Sequence, residues 1–97
     1  MAKKGYLVVC YEGAIDPALH AEYAKIARPA IAAGGGRLLA AGQPAKTYES
    51  GVNHRTVIFE FDSVEQAIAA FESDAYKVAF KVFNNAVPRD VRIVEAF

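Results

Sequence analysis

Hydrophobic residues along the chain follow two kinds of spacing, and the switches between them mark out the elements. Residues 5–11 form a short aromatic and β-branched run with apolar side chains at both parities, which predicts a strand buried on two sides. Asp16 and Pro17 supply an N-cap and a first helical residue. Behind them Leu19, Tyr23, Ile26, Ala27, Ala30 and Ile31 recur at spacings of three and four, one apolar stripe of a helix. His20, Glu22, Lys25 and Arg28 occupy its other faces. Pro29 predicts a kink or split near Arg28, because it offers no N–H to the helical ladder. The glycines at 34, 35 and 36 end the helix.

Period-two patterns then return. Residues 37–42 read as a second strand, interrupted by Gln43 and Pro44, with a strand-like piece at 45–49 and a turn at 50–53. Residues 55–61 give the clearest strand, with Val57, Phe59 and Phe61 on one face and Thr56, Ile58 and Glu60 on the other. Ser63 with Gln66 forms a capping box for a second helix, whose stripe is Val64, Ala67, Ile68 and Phe71. Ser73 and Asp74 break and re-cap it, and Ala75, Val78, Ala79 and Val82 resume helical spacing. Residues 91–97 are the last predicted strand.

The order β-α-β-β-α-β predicts an α+β fold of ferredoxin-like topology, with an antiparallel sheet. Right-handed crossovers put both helices on one face of that sheet. The other face would be bare, yet Val8, Cys10 and Ile58 add apolar groups opposite Leu7 and Val9. A bare apolar face needs a second layer, and the same face of another copy is self-complementary under two-fold symmetry. A homodimer through the sheet face is therefore expected.

Length and composition strengthen that expectation. The 97 residues suit one domain over 1–97, and 54% of them are hydrophobic, a large share to hide in so small a body. Eleven basic residues balance eleven acidic ones with no basic stripe, which disfavours nucleic acid as a partner. Cys10 is the only cysteine and reads as a small core residue. The apolar run at 6–11 is too short for a signal peptide, and no segment approaches the roughly 20 apolar residues of a membrane span. A cytoplasmic protein without a membrane partner is expected.

Several residues form a wider pattern: Asp16 and Pro17, Tyr23, Gly35 to Arg37, Leu39, Arg55, Glu60 to Ser63, Ala67, and Ser73 to Tyr76. Together, over residues 6–95, they resemble the bacterial domain-of-unknown-function 1330 family of the dimeric α/β-barrel superfamily. The resemblance implies two ferredoxin-like protomers whose sheets pack into a closed barrel. Superfamily relatives include cofactor-free monooxygenases, small isomerases and cyclases, haem enzymes and ligand-sensing domains, so the fold alone does not choose a chemistry. The chain departs from the family pattern at Ala41 and Phe83, where arginines are usual, and at Gln43, where a second glycine is usual.

Candidate chemistry is sparse. Glu60 stands between Phe59 and Phe61 in a strand expected to be central. It is either an acid or base poised by desolvation or the partner of an arginine such as Arg37 or Arg55. His20 is either a proton shuttle beside Tyr23 or a rim residue. Glu60 and His20 are the candidate catalytic groups. Arg37 follows three glycines whose N–H groups would either approach an anion or simply close the helix. Tyr11, Tyr23 and Tyr76 either line a pocket for a flat organic ligand or fill the core; with Arg37 and Arg55 they form the candidate ligand-binding set. With two isolated histidines and one cysteine, no metal site and no cofactor are expected. The expected function is a cofactor-independent small-molecule enzyme of the oxygenase, isomerase or cyclase type, with a pocket in each protomer; the alternative is a non-catalytic ligand-binding or structural homodimer.

Overall fold

In the computed structural model, which describes residues 3–97, seven elements follow one another: β1 (Gly5–Tyr11), α1 (Pro17–Ala33), β2 (Arg37–Gly42), β3 (Thr56–Phe61), α2 (Val64–Phe71), α3 (Asp74–Phe83) and β4 (Arg89–Glu95). The strands form one antiparallel sheet in the order β2-β3-β1-β4. This is the ferredoxin-like arrangement, with its second helical crossover divided into α2 and α3.

Register and parity assign the two faces. Leu7 lies opposite Phe59 and Ile93, and Val9 opposite Val57 and Val91, so these residues share the helix-covered face. Leu7, Phe61, Ile31 and Phe83 are the largest fully buried side chains there. Ala67, Ala70 and Ala79 are buried where the helices pack, and their small side chains allow close approach. Tyr6, Val8 and Cys10 point to the opposite face and are only partly buried. Within the protomer β1 is therefore buried on one side.

Local chemistry accounts for most boundaries. Asp16 caps α1 by accepting from the Leu19 N–H at 3.1 Å, and Ser63 Oγ accepts from the Gln66 N–H at 3.1 Å. Ser73 Oγ accepts from the Tyr76 N–H at 3.2 Å, which starts α3 after a one-residue gap. All three glycine N–H groups at 34, 35 and 36 donate to the carbonyls of Ala30, Ala32 and Ile31, so the run closes α1 and keeps no donor for an anion. Gly36 also has no room for a side chain: a Cβ there would stand 2.5 Å from Ile31 Cγ2 and 2.8 Å from Phe61 Cζ.

Three expectations are corrected. Helix α1 is not split at Pro29. Pro29, Lys25 and Arg28 are exposed, so the donor lost to the Lys25 carbonyl is missing on the solvent side of the helix. Residues 45–49 form no strand. β2 is already the sheet edge, and the chain leaves it through Pro44 into a long loop that turns at Glu49, where φ is 53°. The last strand starts at Arg89, two residues earlier than the apolar run suggests, and ends at Glu95.

Candidate active site

A cavity of about 40 Å³ lies between the sheet and the helices. Its walls follow from simple periodicities. On α1, His20, Tyr23, Ala24, Ala27, Arg28 and Ile31 recur at one, three and four and share a face. On the strands, alternate residues point inward: Leu7, Val9 and Tyr11 from β1, Arg55, Val57 and Phe59 along β3 and its preceding residue, and Arg89 from the start of β4. Phe71 and Tyr76 close it from α2 and α3. The walls are mostly apolar, and their polar groups converge.

Arg89 is the centre of that convergence. It stands directly opposite Tyr11 in the sheet register, with its guanidinium 3.9 Å from the Phe83 ring centroid and 5.4 and 5.7 Å from those of Tyr23 and Tyr11. Its Nη1 donates to the Tyr23 hydroxyl at 3.0 Å and its Nη2 to the Tyr76 hydroxyl at 3.5 Å. The two hydroxyl oxygens are 2.6 Å apart, a short hydrogen bond between buried phenols. Two phenols carry two O–H protons, and one is consumed between them. The other remains to donate, from an oxygen already polarised by Arg89. Burial first, and then the neighbouring Tyr76, push the Tyr23 phenol well above its ordinary value, so it stays a donor.

His20 completes this end of the cavity. Its ring lies 6.2 Å from that of Tyr11 and 6.4 Å from that of Tyr23. Burial, helped by the charges of Arg55 and Arg28, lowers its pKa and favours neutral imidazole. Among the described residues, no carboxylate lines the cavity, and Arg28, Arg55 and Arg89 form no salt bridge. Arg55 Nε is buried without any hydrogen-bond partner.

Residues 4–97 match the family model described as domain of unknown function 1330 (DUF1330). The chain belongs to this family. No curated protein matches it significantly. Solved structures similar to this DUF1330 protein include a protein of unknown function from Rhodopseudomonas palustris, 16% identical with a TM-score of 0.73, covering 100% of this chain and 85% of the other. A dimeric ferredoxin-like protein of unknown function from Thermobifida fusca is 11% identical with a TM-score of 0.67, covering 99% and 93%. SnoaB, a cofactor-independent oxygenase from Streptomyces nogalater, is 12% identical with a TM-score of 0.63, covering 99% and 95%. At these identities the likenesses establish the fold.

Of the residues singled out from sequence, the DUF1330 chain brings Tyr11, His20, Tyr23, Arg55 and Tyr76 together around the cavity. Glu60 and Arg37 lie on the other face of the sheet. There Arg37 donates from Nε and Nη2 to Glu60 Oε1 at 3.2 and 3.1 Å, Tyr6 donates to Glu60 Oε2 at 3.1 Å, and Arg37 also reaches Asp62 at 3.1 Å. Partial burial pushes the Glu60 carboxyl up, but the bonds from Arg37 and Tyr6, with Lys4 nearby, outweigh it and hold the group below its ordinary value. Glu60 is thus a paired carboxylate and Arg37 its partner.

Sequence reasoning missed Arg89, which organises the phenols. The signal was present: Arg89, Val91 and Ile93 alternate, and their partners Tyr11, Val9 and Leu7 are the inward residues of β1. Among the described residues, no group of three or more His, Cys, Asp or Glu side chains could hold a metal ion, and no helix is long and apolar enough to cross a membrane.

Proposed function

We propose that this DUF1330 protein is a cofactor-independent enzyme that moves a proton on a small organic substrate, with one site in each protomer of a homodimer. The observation that carries this reading is the Tyr23–Tyr76–Arg89 cluster: two buried phenols and a partly buried cation on a cavity wall with no carboxylate to neutralise it. A partly buried cation without an acid leaves positive charge unbalanced, and such preorganised donors suit an oxygen that gains negative charge during reaction. Neutral His20 accepts the proton from a carbon or hydroxyl acid of the substrate, and the electron pair left behind moves onto the substrate's conjugated oxygen. The free phenol O–H, backed by Arg89, hydrogen-bonds to that oxygen. Return of the proton from His20 to a second atom completes an isomerisation; with a carbon acid, attack of the carbanion on an internal carbonyl, whose oxygen then takes the proton back from His20, completes a cyclisation.

The homodimer is supported by the open sheet face. Tyr6, Val8, Cys10, Ile58 and Val94 lie on it, with Val94 half exposed, and the similar Thermobifida protein is described as dimeric.

Exchange of carbon-bound hydrogen for deuterium tests the chemistry without knowledge of the product. Small ketones and phenols that raise the melting temperature would be incubated with the protein in heavy water and followed by NMR. Catalysed exchange is expected, falling about a hundredfold in His20→Ala and in Tyr23→Phe. Binding without exchange would replace this reading with a non-catalytic ligand-binding one. The small volume of the cavity and the partial exposure of His20 favour that second reading.

A further inference from the structure

His20 and Arg55 border the inner cavity on one side. Both side chains also line a second, outer space of about 390 Å³, bounded by the loop after β1 and the loop before β3, with Ile15, Pro17, Gln43 and His54 among its walls. The inner cavity alone, at about 40 Å³, is far smaller than the roughly 300–1,000 Å³ of a pocket that encloses a whole small-molecule ligand. On the reading of the inner cavity as a site, a ligand of ordinary metabolite size would keep its bulk in this outer vestibule and direct one end between His20 and Arg55, which would act as the neck.

The charges around these two spaces are one-sided. They hold Arg28, Arg55, Arg89 and both histidines of the chain, and no aspartate or glutamate. Arg89 is occupied by phenols and aromatic faces, and Arg28 is exposed. Arg55 differs from both: it stands at the neck, and its buried Nε–H has no partner. A buried donor left without an acceptor is destabilising, and such orphans in native proteins commonly mark a missing ligand or water.

We propose that the natural ligand is an organic acid whose carboxylate is received at the neck by the Nε edge of Arg55. This rests on the reading of the cavity as a small-molecule site and narrows its substrate class. A carboxylate fits better than a phosphate for two reasons. It is planar and singly charged, matching one guanidinium edge, whereas a phosphate needs a denser ring of donors. The walls of the inner cavity are also mostly apolar, which suits the one carbon end of an organic acid that enters it. The bound anion would offset the positive field on His20 as well, since Arg55 and Arg28 both act on that ring.

Matched probes separate charge from shape. Benzoate and benzamide, propionate and propionamide, and inorganic phosphate would be titrated into the full chain. Melting temperature and the NMR resonances of Arg55 Nε–H, Tyr23 and Tyr76 would be followed. Each carboxylate is expected to raise the melting temperature, to move the Arg55 Nε–H resonance, and to bind about tenfold or more tightly than its amide. Arg55→Met should erase that preference, while Arg37→Met on the far face should keep it. If Arg55→Met does not fold, the acid–amide comparison on the native chain still decides. Equal binding of acid and amide would overturn the carboxylate assignment while leaving a small-molecule site. Preferential binding of phosphate would overturn it in favour of a phosphorylated ligand. If no probe moves the resonances of Arg55, Tyr23 or Tyr76, the small-molecule reading of the cavity falls with it.

Discussion

The two faces of the sheet use the same residue types to different ends. On the open face, Tyr6, Glu60, Arg37 and Asp62 form a network in which every charge has an opposite charge within reach, and Arg92 pairs with Asp90 at 2.9 Å. On the covered face, tyrosines and arginines meet again, but the acids are missing. In the protomer the first network is partly exposed, and its charges are satisfied among themselves. The second cluster is partly buried and holds no acid, so its charge imbalance persists until a ligand or a reacting atom compensates it. Charges paired among themselves hold a shape; charges left without an acid await something.

The sharpest way to break this contrast is to put a charge where the open face expects apolar contact. Ile58→Asp should halve the mass seen by sedimentation and leave the circular dichroism intact, because Ile58 points away from the helices. Loss of folded signal would instead show that the open face belongs to the protomer's own core. On the covered face, Arg89→Met should reduce substrate-dependent deuterium exchange about a hundredfold with the fold retained, since the phenols lose the cation that polarises them. A variant exchanging at the native rate would demote Arg89 to packing.

Two smaller effects separate the faces by pH. Glu60 has a folded pKa below its ordinary 4.5, so its stabilisation is present above that value and is lost as pH falls through the lowered one. Glu60→Gln should therefore lower the melting temperature a little at neutral pH, where that stabilisation is present, and flatten the acid limb, converging with the native chain at low pH. His20 has a folded pKa below its ordinary 6.5. Between the two values the unfolded chain binds more protons, so stability rises with pH across that window. The partial exposure of His20 makes this the smallest of the four effects. NMR titration should find His20 losing its proton below pH 6.5, and saturating carboxylate should move that transition upward.

Much of this fold is legible in the sequence. Period-two and period-three-to-four spacing located the strands and helices, and the side-chain caps at Asp16, Ser63 and Ser73 stand where the sequence places them. What failed was context. Pro29 sits on the exposed side of α1 and does not split it, and spacing alone did not give that placement. Glu60 looked like a buried acid because its neighbours in sequence are phenylalanines, but neighbours along a strand point to the opposite face. Its true neighbours are Tyr6 and Arg37 across the ladder. Arg89 was lost for a related reason: an arginine directly after Pro88 reads as a loop residue, and only its pairing with Tyr11 shows that it points inward.

The division between neck and vestibule also bears on how such a protein diversifies. Tyr23, Tyr76 and Arg89 are set by helix and strand geometry, where a one-residue shift would disturb the whole layer. The vestibule is different, because its walls come largely from two connections outside the sheet register. One of them, between β2 and β3, is tied back to β1 by the bond from the Tyr11 N–H to the Arg55 carbonyl at 2.8 Å. Lengthening that connection upstream of Arg55 costs little, since closing entropy grows only slowly with loop length. Descendants of one ancestor can thus keep the same reactive end while exchanging the body of the molecule it recognises. Such a split lets new substrates be sampled by insertion and deletion in a hairpin, without re-inventing the machinery beneath it.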